Sequence, residues 1–226
     1  MKTKILSLIY FLSSLLFIVC EGQSSFLVEL VLKALIIPVL IILFVINIRP
    51  YKDRIRLLMA GGLIFSWAGD VILEFTKRND NMFIFGLAGF LLAHIMYFTV
   101  FIGTPGKNAV FNKRIYLLIP VILYGTILIS YLYNDLNNMR IPVILYAFVI
   151  LIMLAGAINR IEKVNSVSFY LVLTGAILFV ISDSAIAVNK FSHTFEYSNI
   201  VIMSTYVIAQ FLIVSGYLKQ FRENLV

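Results

Sequence analysis

Apolar residues in this chain run in long blocks separated by short polar breaks, and not in the alternation that marks half-buried strands. Eight blocks emerge: Ile5 to Cys20, Phe26 to Ile48, Leu57 to Phe75, Met82 to Ile102, Ile115 to Tyr133, Ile141 to Ile158, Val167 to Val188 and Asn199 to Leu218. Most approach the roughly 20 residues that carry a helix across a hydrocarbon layer. The pattern therefore predicts an all-α fold, a polytopic bundle of about eight transmembrane helices. The connections are short, the most polar being "RPYKDRIR" and "GTPGKNAVFNKR", and none has the length or composition of a soluble domain. One transmembrane domain over residues 1–226 is expected.

Composition strengthens this picture. Of 226 residues 62% are hydrophobic and 13% charged, far from the balance of soluble domains, where about a quarter of residues are charged. The net charge of +7 does not indicate nucleic acid, because the basic residues sit between spans and form no stripe. Lys2, Lys4, Arg49, Lys52, Arg54, Arg56, Lys107, Lys113, Arg114, Arg160, Lys163, Lys219 and Arg222 fall on one side of the predicted bundle. Only Lys77, Arg78, Arg140 and Lys190 fall on the other. The positive-inside rule then predicts a protein of the cytoplasmic membrane with both termini in the cytoplasm. The N-terminal stretch has the basic start and apolar middle of a signal peptide but lacks an A-x-A-like cleavage site, so it reads as a first span. Cys20, a lone cysteine, excludes an internal disulfide framework.

Against this apolar background two aspartates stand out. An ionised carboxylate inside a membrane span costs roughly 2.5–3.5 kcal/mol on insertion scales, so its presence points to a use. Asp70 closes "GLIFSWAGD" and Asp183 closes "GAILFVISD", segments that share a glycine eight residues before the acid and a small residue just ahead of it. The acids lie 113 residues apart, half the length of the chain. This spacing suggests two four-helix halves in parallel orientation, with both acids at similar depth in the outer half of the membrane.

Other polar residues share helix faces with them. Ser66, Asp70 and Glu74 follow at four-residue steps, a stripe that should face protein. Asp183 is expected to share a face with Gly175, which would allow close helix approach, while Asn189 and Lys190 follow near the membrane edge. His94 with Tyr97, and Tyr206 with Gln210, form two single-faced pairs. Lys33 is a cation inside an apolar run and needs a counter-ion, for which Asp70 and Asp183 are candidates. Glu74 and Lys190, near span ends, read as residues that extend toward the interface. No metal site is expected: the only histidines are His94 and His193, and neither an HExxH nor a CxxC spacing occurs. No cofactor motif appears either.

The segments "FSWAGDVIL", "GLAGFLLAHIMYF", "GAILFVISDSAIAVNKF" and "STYVIAQFLI", in this order across the spans, resemble the YhhN-like lysoplasmalogenase family, and the resemblance runs from Lys33 onward. In that family the lysine opens a Lys-Pro or Lys-Cys-Leu-Pro element, whereas here it opens "KALIIP". The resemblance implies hydrolysis of the vinyl ether bond of a lysoplasmalogen, a single-chain ether phospholipid, to a fatty aldehyde and glycerophospho-ethanolamine or glycerophospho-choline.

The residues suit that chemistry on their own terms. Protonation of the vinyl ether at its β-carbon gives an oxocarbenium ion that water captures, a sequence that asks for an acid and an anion, as in glycoside hydrolysis. Low dielectric favours a neutral carboxyl and a neighbouring cation or hydroxyl favours an ionised one, so Asp70 and Asp183 are the expected catalytic pair. Lys33, Ser66, His94, Tyr97, Asn189, Tyr206 and Gln210 are expected to bind substrate or position water. A competing reading, a proton-coupled small-molecule or lipid carrier using the same acids, would favour broken helices, and spans three and seven contain glycines but no proline.

Overall fold

The computed structural model describes residues 2–48, 54–106 and 113–223. Within them it is helical throughout, with eight long helices: α1 (Lys2–Cys20), α2 (Phe26–Ile48), α3 (Arg54–Glu74), α4 (Met82–Ile102), α5 (Ile119–Leu132), α6 (Arg140–Ile158), α7 (Ser166–Ala187) and α8 (Ser198–Glu223). All eight, with the short turns that extend some of them, are long and apolar enough to cross a membrane. The protein is an integral membrane protein. The basic connections at 49–53 and 107–112, which carry part of the charge bias, lie outside the described residues. The described residues gather into two compact units, Met1–Tyr97 and Phe98–Val226.

In the first unit, α1 and α2 form a hairpin that turns at Gly22, whose φ of +77° suits a residue without a side chain. The Gly22 amide donates to the Glu29 carboxylate at 2.7 Å, and at the far end Thr3 donates to Asn47 at 3.0 Å. Pro38 sits inside α2, where it cannot supply the amide that would otherwise take the carbonyl of Ala34. That carbonyl instead accepts the indole N–H of Trp67 on α3 at 2.8 Å, which meets the demand that lipid places on every backbone group. Next to it α3 and α4 pack through glycines. A Cβ on Gly89 would lie 3.0 Å from the Gly69 backbone, so the two helices touch main chain to main chain beside Asp70.

In the second unit α7 and α8 make the tightest pair. A Cβ on Gly175 would sit 2.8 Å from the Ala209 carbonyl oxygen, and one on Gly216 would sit 3.0 Å from that of Ser168. The α7 N-terminus is capped by Asn165, whose side chain accepts the Ser168 amide at 2.7 Å. Its other end runs on through a π turn, Val188–Ser192. The span predicted over Ile115 to Tyr133 divides into a 3-10 turn, Ile115–Leu118, and α5, because Pro120 starts the regular helix at its first turn.

Arg160, which the sequence places among connection charges, is fully buried. Its guanidinium donates to Ser168 at 3.0 Å and to Gln220 at 2.8 Å and faces the ring of Phe101, so it ties α6, α7 and α8 together. Burial pulls its pKa down to about 10, which still leaves it charged at neutral pH.

Candidate functional site

The polar stripe of α3 is where its spacing puts it. Ser66, Asp70 and Glu74 are all buried, at 0%, 4% and 1% exposure. Four residues advance an α-helix by about 400°, so such a stripe drifts only slowly around the axis. The buried hydroxyl oxygen of Ser66 has no hydrogen-bond partner among the described residues. His94 and Tyr97 of α4 are also fully buried, and the Tyr97 ring fills the space that a side chain at Gly62 would take. Tyr10 of α1 lies within electrostatic reach of both Asp70 and Tyr97. Asp70 therefore has the Tyr10 hydroxyl of another helix within reach.

One turn beyond Asp70 the helices hold a charged network. The counter-ion of Lys33 is Glu74, at 3.1 Å, and not an aspartate: the long lysine stem carries the ammonium toward the end of α3. Glu74 does not extend to the interface as its position suggested, since it is buried between Lys33 and Lys77 and pairs with both. Lys77 also meets Glu29 at 2.7 Å and Glu21 at 3.9 Å. Burial raises the pKa of Glu21, against the pull of the two lysines. Among the described residues no group of three or more histidine, cysteine, aspartate or glutamate side chains is placed to hold a metal ion. The three glutamates converge on an ammonium instead.

In the second unit Asp183 is partly buried and accepts the hydroxyl of Tyr146 on α6, a short hydrogen bond. Next to it the Tyr124 hydroxyl of α5 donates to Ser184 at 2.8 Å. These four residues line a narrow pocket with Leu128, Val143, Ala147, Ile150 and Val180, so a carboxylate and two phenols interrupt an otherwise apolar wall.

Asp183 and Gly175 do not share a face. Gly175 packs on Ala209 and Ile213 of α8 while Asp183 turns to α6, because eight residues leave an α-helix about 80° out of register. Tyr206 and Gln210 are buried on α8, where the Gln210 amide donates to the Tyr206 hydroxyl at 3.3 Å and the Tyr206 ring meets Phe179 edge-on. Asn189, in the π turn, accepts the Phe195 amide at 3.4 Å, and Lys190 is exposed. Near them Tyr131, Ser192 and His193 form an exposed hydrogen-bonded group at 3.1–3.3 Å.

Sequence reasoning did not single out Tyr146, Tyr124, Ser184 or Tyr10. A tyrosine in a span is an ordinary packing residue, and the partner of Tyr146 lies 37 residues away. No local spacing could have revealed it.

The chain is similar to known proteins. It is 34% identical over 156 residues to lysoplasmalogenase TMEM86A of Bos taurus and 32% identical over 158 residues to lysoplasmalogenase TMEM86A of Homo sapiens. Each match covers 67% of this chain and 61% of the relative, so the chain spans about three-fifths of the length of these curated relatives. No solved structure matches it significantly. The sequence model of the YhhN family matches residues 28–217, a range that includes the ion-paired Lys33, both aspartates and Tyr146, and the chain belongs to the YhhN family.

Proposed function

We propose that this protein hydrolyses the vinyl ether bond of lysoplasmalogens within the membrane, with Asp70 and Asp183 as acid and base. The observation that carries the reading is the Tyr146–Asp183 pair on the wall of an apolar pocket inside a membrane-spanning unit. The similarity to lysoplasmalogenases supports the substrate class.

The reaction needs a proton at the β-carbon of the vinyl ether and a water molecule at the α-carbon. Asp70, buried in the first unit, is assigned the donor. Protonation converts the C=C–O unit into an oxocarbenium ion, and a carboxylate stabilises that positive charge as it develops. Asp183, held as a hydrogen-bond acceptor by Tyr146, takes the proton from the attacking water. The resulting hemiacetal collapses with a proton passing to the glycerol oxygen, releasing a fatty aldehyde and a glycerophosphodiester. One water is consumed and no net proton. Lys33, Ser66, His94, Tyr97, Asn189, Tyr206 and Gln210 are the residues assigned to substrate or water positioning. The basic bias of the alternate connections supports a place in the cytoplasmic membrane with both termini inside.

The test is incubation of the purified protein, in detergent, with a lysoplasmalogen, with an ester lysophospholipid of the same chain length, and with neither. Aldehyde release from the vinyl ether alone is the expected result. Cleavage of the ester, or no cleavage of either lipid by folded protein, contradicts the reading.

A further inference from the structure

The pocket at Asp183 is small, about 40 Å³, which is room for a few water molecules. Its wall carries four polar side chains, those of Tyr124, Tyr146, Asp183 and Ser184, and the hydrogen bonds fix where their protons go. Ser184 has one hydroxyl proton and gives it to the Val180 carbonyl at 2.7 Å, a group that can only accept. The 2.8 Å hydrogen bond between Tyr124 and Ser184 is therefore donated by Tyr124. Tyr146 donates to the Asp183 carboxylate. Each of the three hydroxyl groups thus engages its only proton within the wall, and the amides of the lining helices serve their own carbonyls. What the wall turns toward an occupant is acceptors, above all the Asp183 carboxylate and the Tyr124 phenol oxygen.

We propose that this pocket holds a water molecule that donates one hydrogen to Asp183 and the other to Tyr124, and that Tyr124 is a water-positioning residue whose own proton is kept out of the way by Ser184. The role of that water as nucleophile rests on the hydrolase reading, whereas its orientation follows from a wall that only accepts. Ser184 is the neighbour of Asp183 on α7, and Tyr124 reaches it from α5, so the second acceptor is anchored one residue from the carboxylate. A water that donates both hydrogens has only lone pairs left to offer, and it meets an oxocarbenium carbon as a nucleophile. Were the Tyr124 proton released from Ser184, it would engage one of those lone pairs instead. In the step itself the water oxygen bonds to the α-carbon, the electron pair quenches the oxocarbenium charge, and one O–H bond breaks with its proton passing to Asp183. Tyr124 accepts a hydrogen bond throughout and neither gains nor loses a proton.

The experiment has a structural and a kinetic arm, both on the full chain. Crystals of the wild type and of Tyr124→Phe, grown in a lipidic mesophase and diffracting well enough to show ordered water, are compared at the pocket. The expected result is a water within hydrogen-bond distance of the Asp183 carboxylate and the Tyr124 hydroxyl in the wild type, and its loss from Tyr124→Phe. In the kinetic arm kcat and KM for aldehyde release from a lysoplasmalogen are measured for the wild type, Tyr124→Phe, Ser184→Ala and Ser184→Thr. Tyr124→Phe and Ser184→Ala should each lower kcat by about threefold to tenfold, the rate equivalent of one neutral hydrogen bond, with KM unchanged. Ser184→Ala does so although Tyr124 remains, because the phenol proton then turns to the water. Ser184→Thr, whose hydroxyl can bond the carbonyl four residues back, should recover most of that loss. A wild-type pocket without water overturns the proposal, as does water undisturbed in Tyr124→Phe or a wild-type kcat in Ser184→Ala. Should Tyr124→Phe not fold, the wild-type structure and the two Ser184 variants decide the matter. Because the structural arm needs no turnover, the two readings separate. Water that is held in the wild type and lost with the Tyr124 hydroxyl, without vinyl ether cleavage, keeps the water site and removes the hydrolase; cleavage by a protein whose pocket is dry does the reverse.

Discussion

Asp183 meets the phenol of Tyr146 across two helices. Tyr146 is 7% exposed and donates to the carboxylate, which orients the acceptor. Tyr146→Phe removes one oxygen and preserves the ring that packs in the wall. Hydrogen bonds to charged groups contribute about 1.5–3 kcal/mol, so kcat should fall by roughly 10- to 100-fold with KM little changed, measured as aldehyde release against lysoplasmalogen concentration. An unchanged kcat would make the bond a packing feature only. The two aspartates were legible in the sequence because a carboxylate in an apolar run is conspicuous. Their hydrogen-bonding neighbours were not, since a tyrosine among leucines and valines carries no sign of what it faces. Lys33 illustrates the same boundary: its need for a counter-ion could be read from the sequence, but that Glu74 meets it depends on how far a lysine stem reaches along two adjacent helices.

At the scale of elements, length and apolarity gave the spans within a few residues, because in a bilayer those two quantities are what select a helix. How the helices touch was less accessible. The Pro38–Trp67 relation shows why: proline removes a donor at a known position, but which side chain answers for the freed carbonyl depends on helix packing. The relation makes a sharp prediction. Trp67→Phe leaves the Ala34 carbonyl without its donor and should destabilise the protein by about 1–3 kcal/mol, read as a lowered midpoint of unfolding in detergent. Adding Pro38→Ala to that variant restores a backbone amide in reach of the same carbonyl and should recover part of the loss. Equal and additive losses from the two substitutions would show that the indole acts through its bulk alone. The glycine seams at Gly69–Gly89 and Gly175–Ala209 were half legible: small residues announced close approach, but the partner helix did not follow from spacing, and Asp183 proved to face another helix than Gly175.

For the molecule as a whole, membership of the YhhN family and eight helices long and apolar enough to cross a membrane fit one picture, in which the bilayer serves as solvent. The two compact units divide inside α4, after Tyr97. In the proposed function Asp70 and Asp183 perform acid–base chemistry on a vinyl ether. Its most direct measurement is the rate of fatty aldehyde release from a lysoplasmalogen by the wild type, Asp70→Asn, Asp183→Asn and the double variant, each shown to be folded. Asparagine keeps the shape and some hydrogen bonding of aspartate but removes the proton donor or the anion. Each single change should lower the rate by at least about 10²-fold, in line with loss of general acid–base catalysis. The double variant should be little slower than the worse single one, because groups that act on one transition state do not lose activity additively. Near-normal turnover in either folded asparagine variant would contradict the claim.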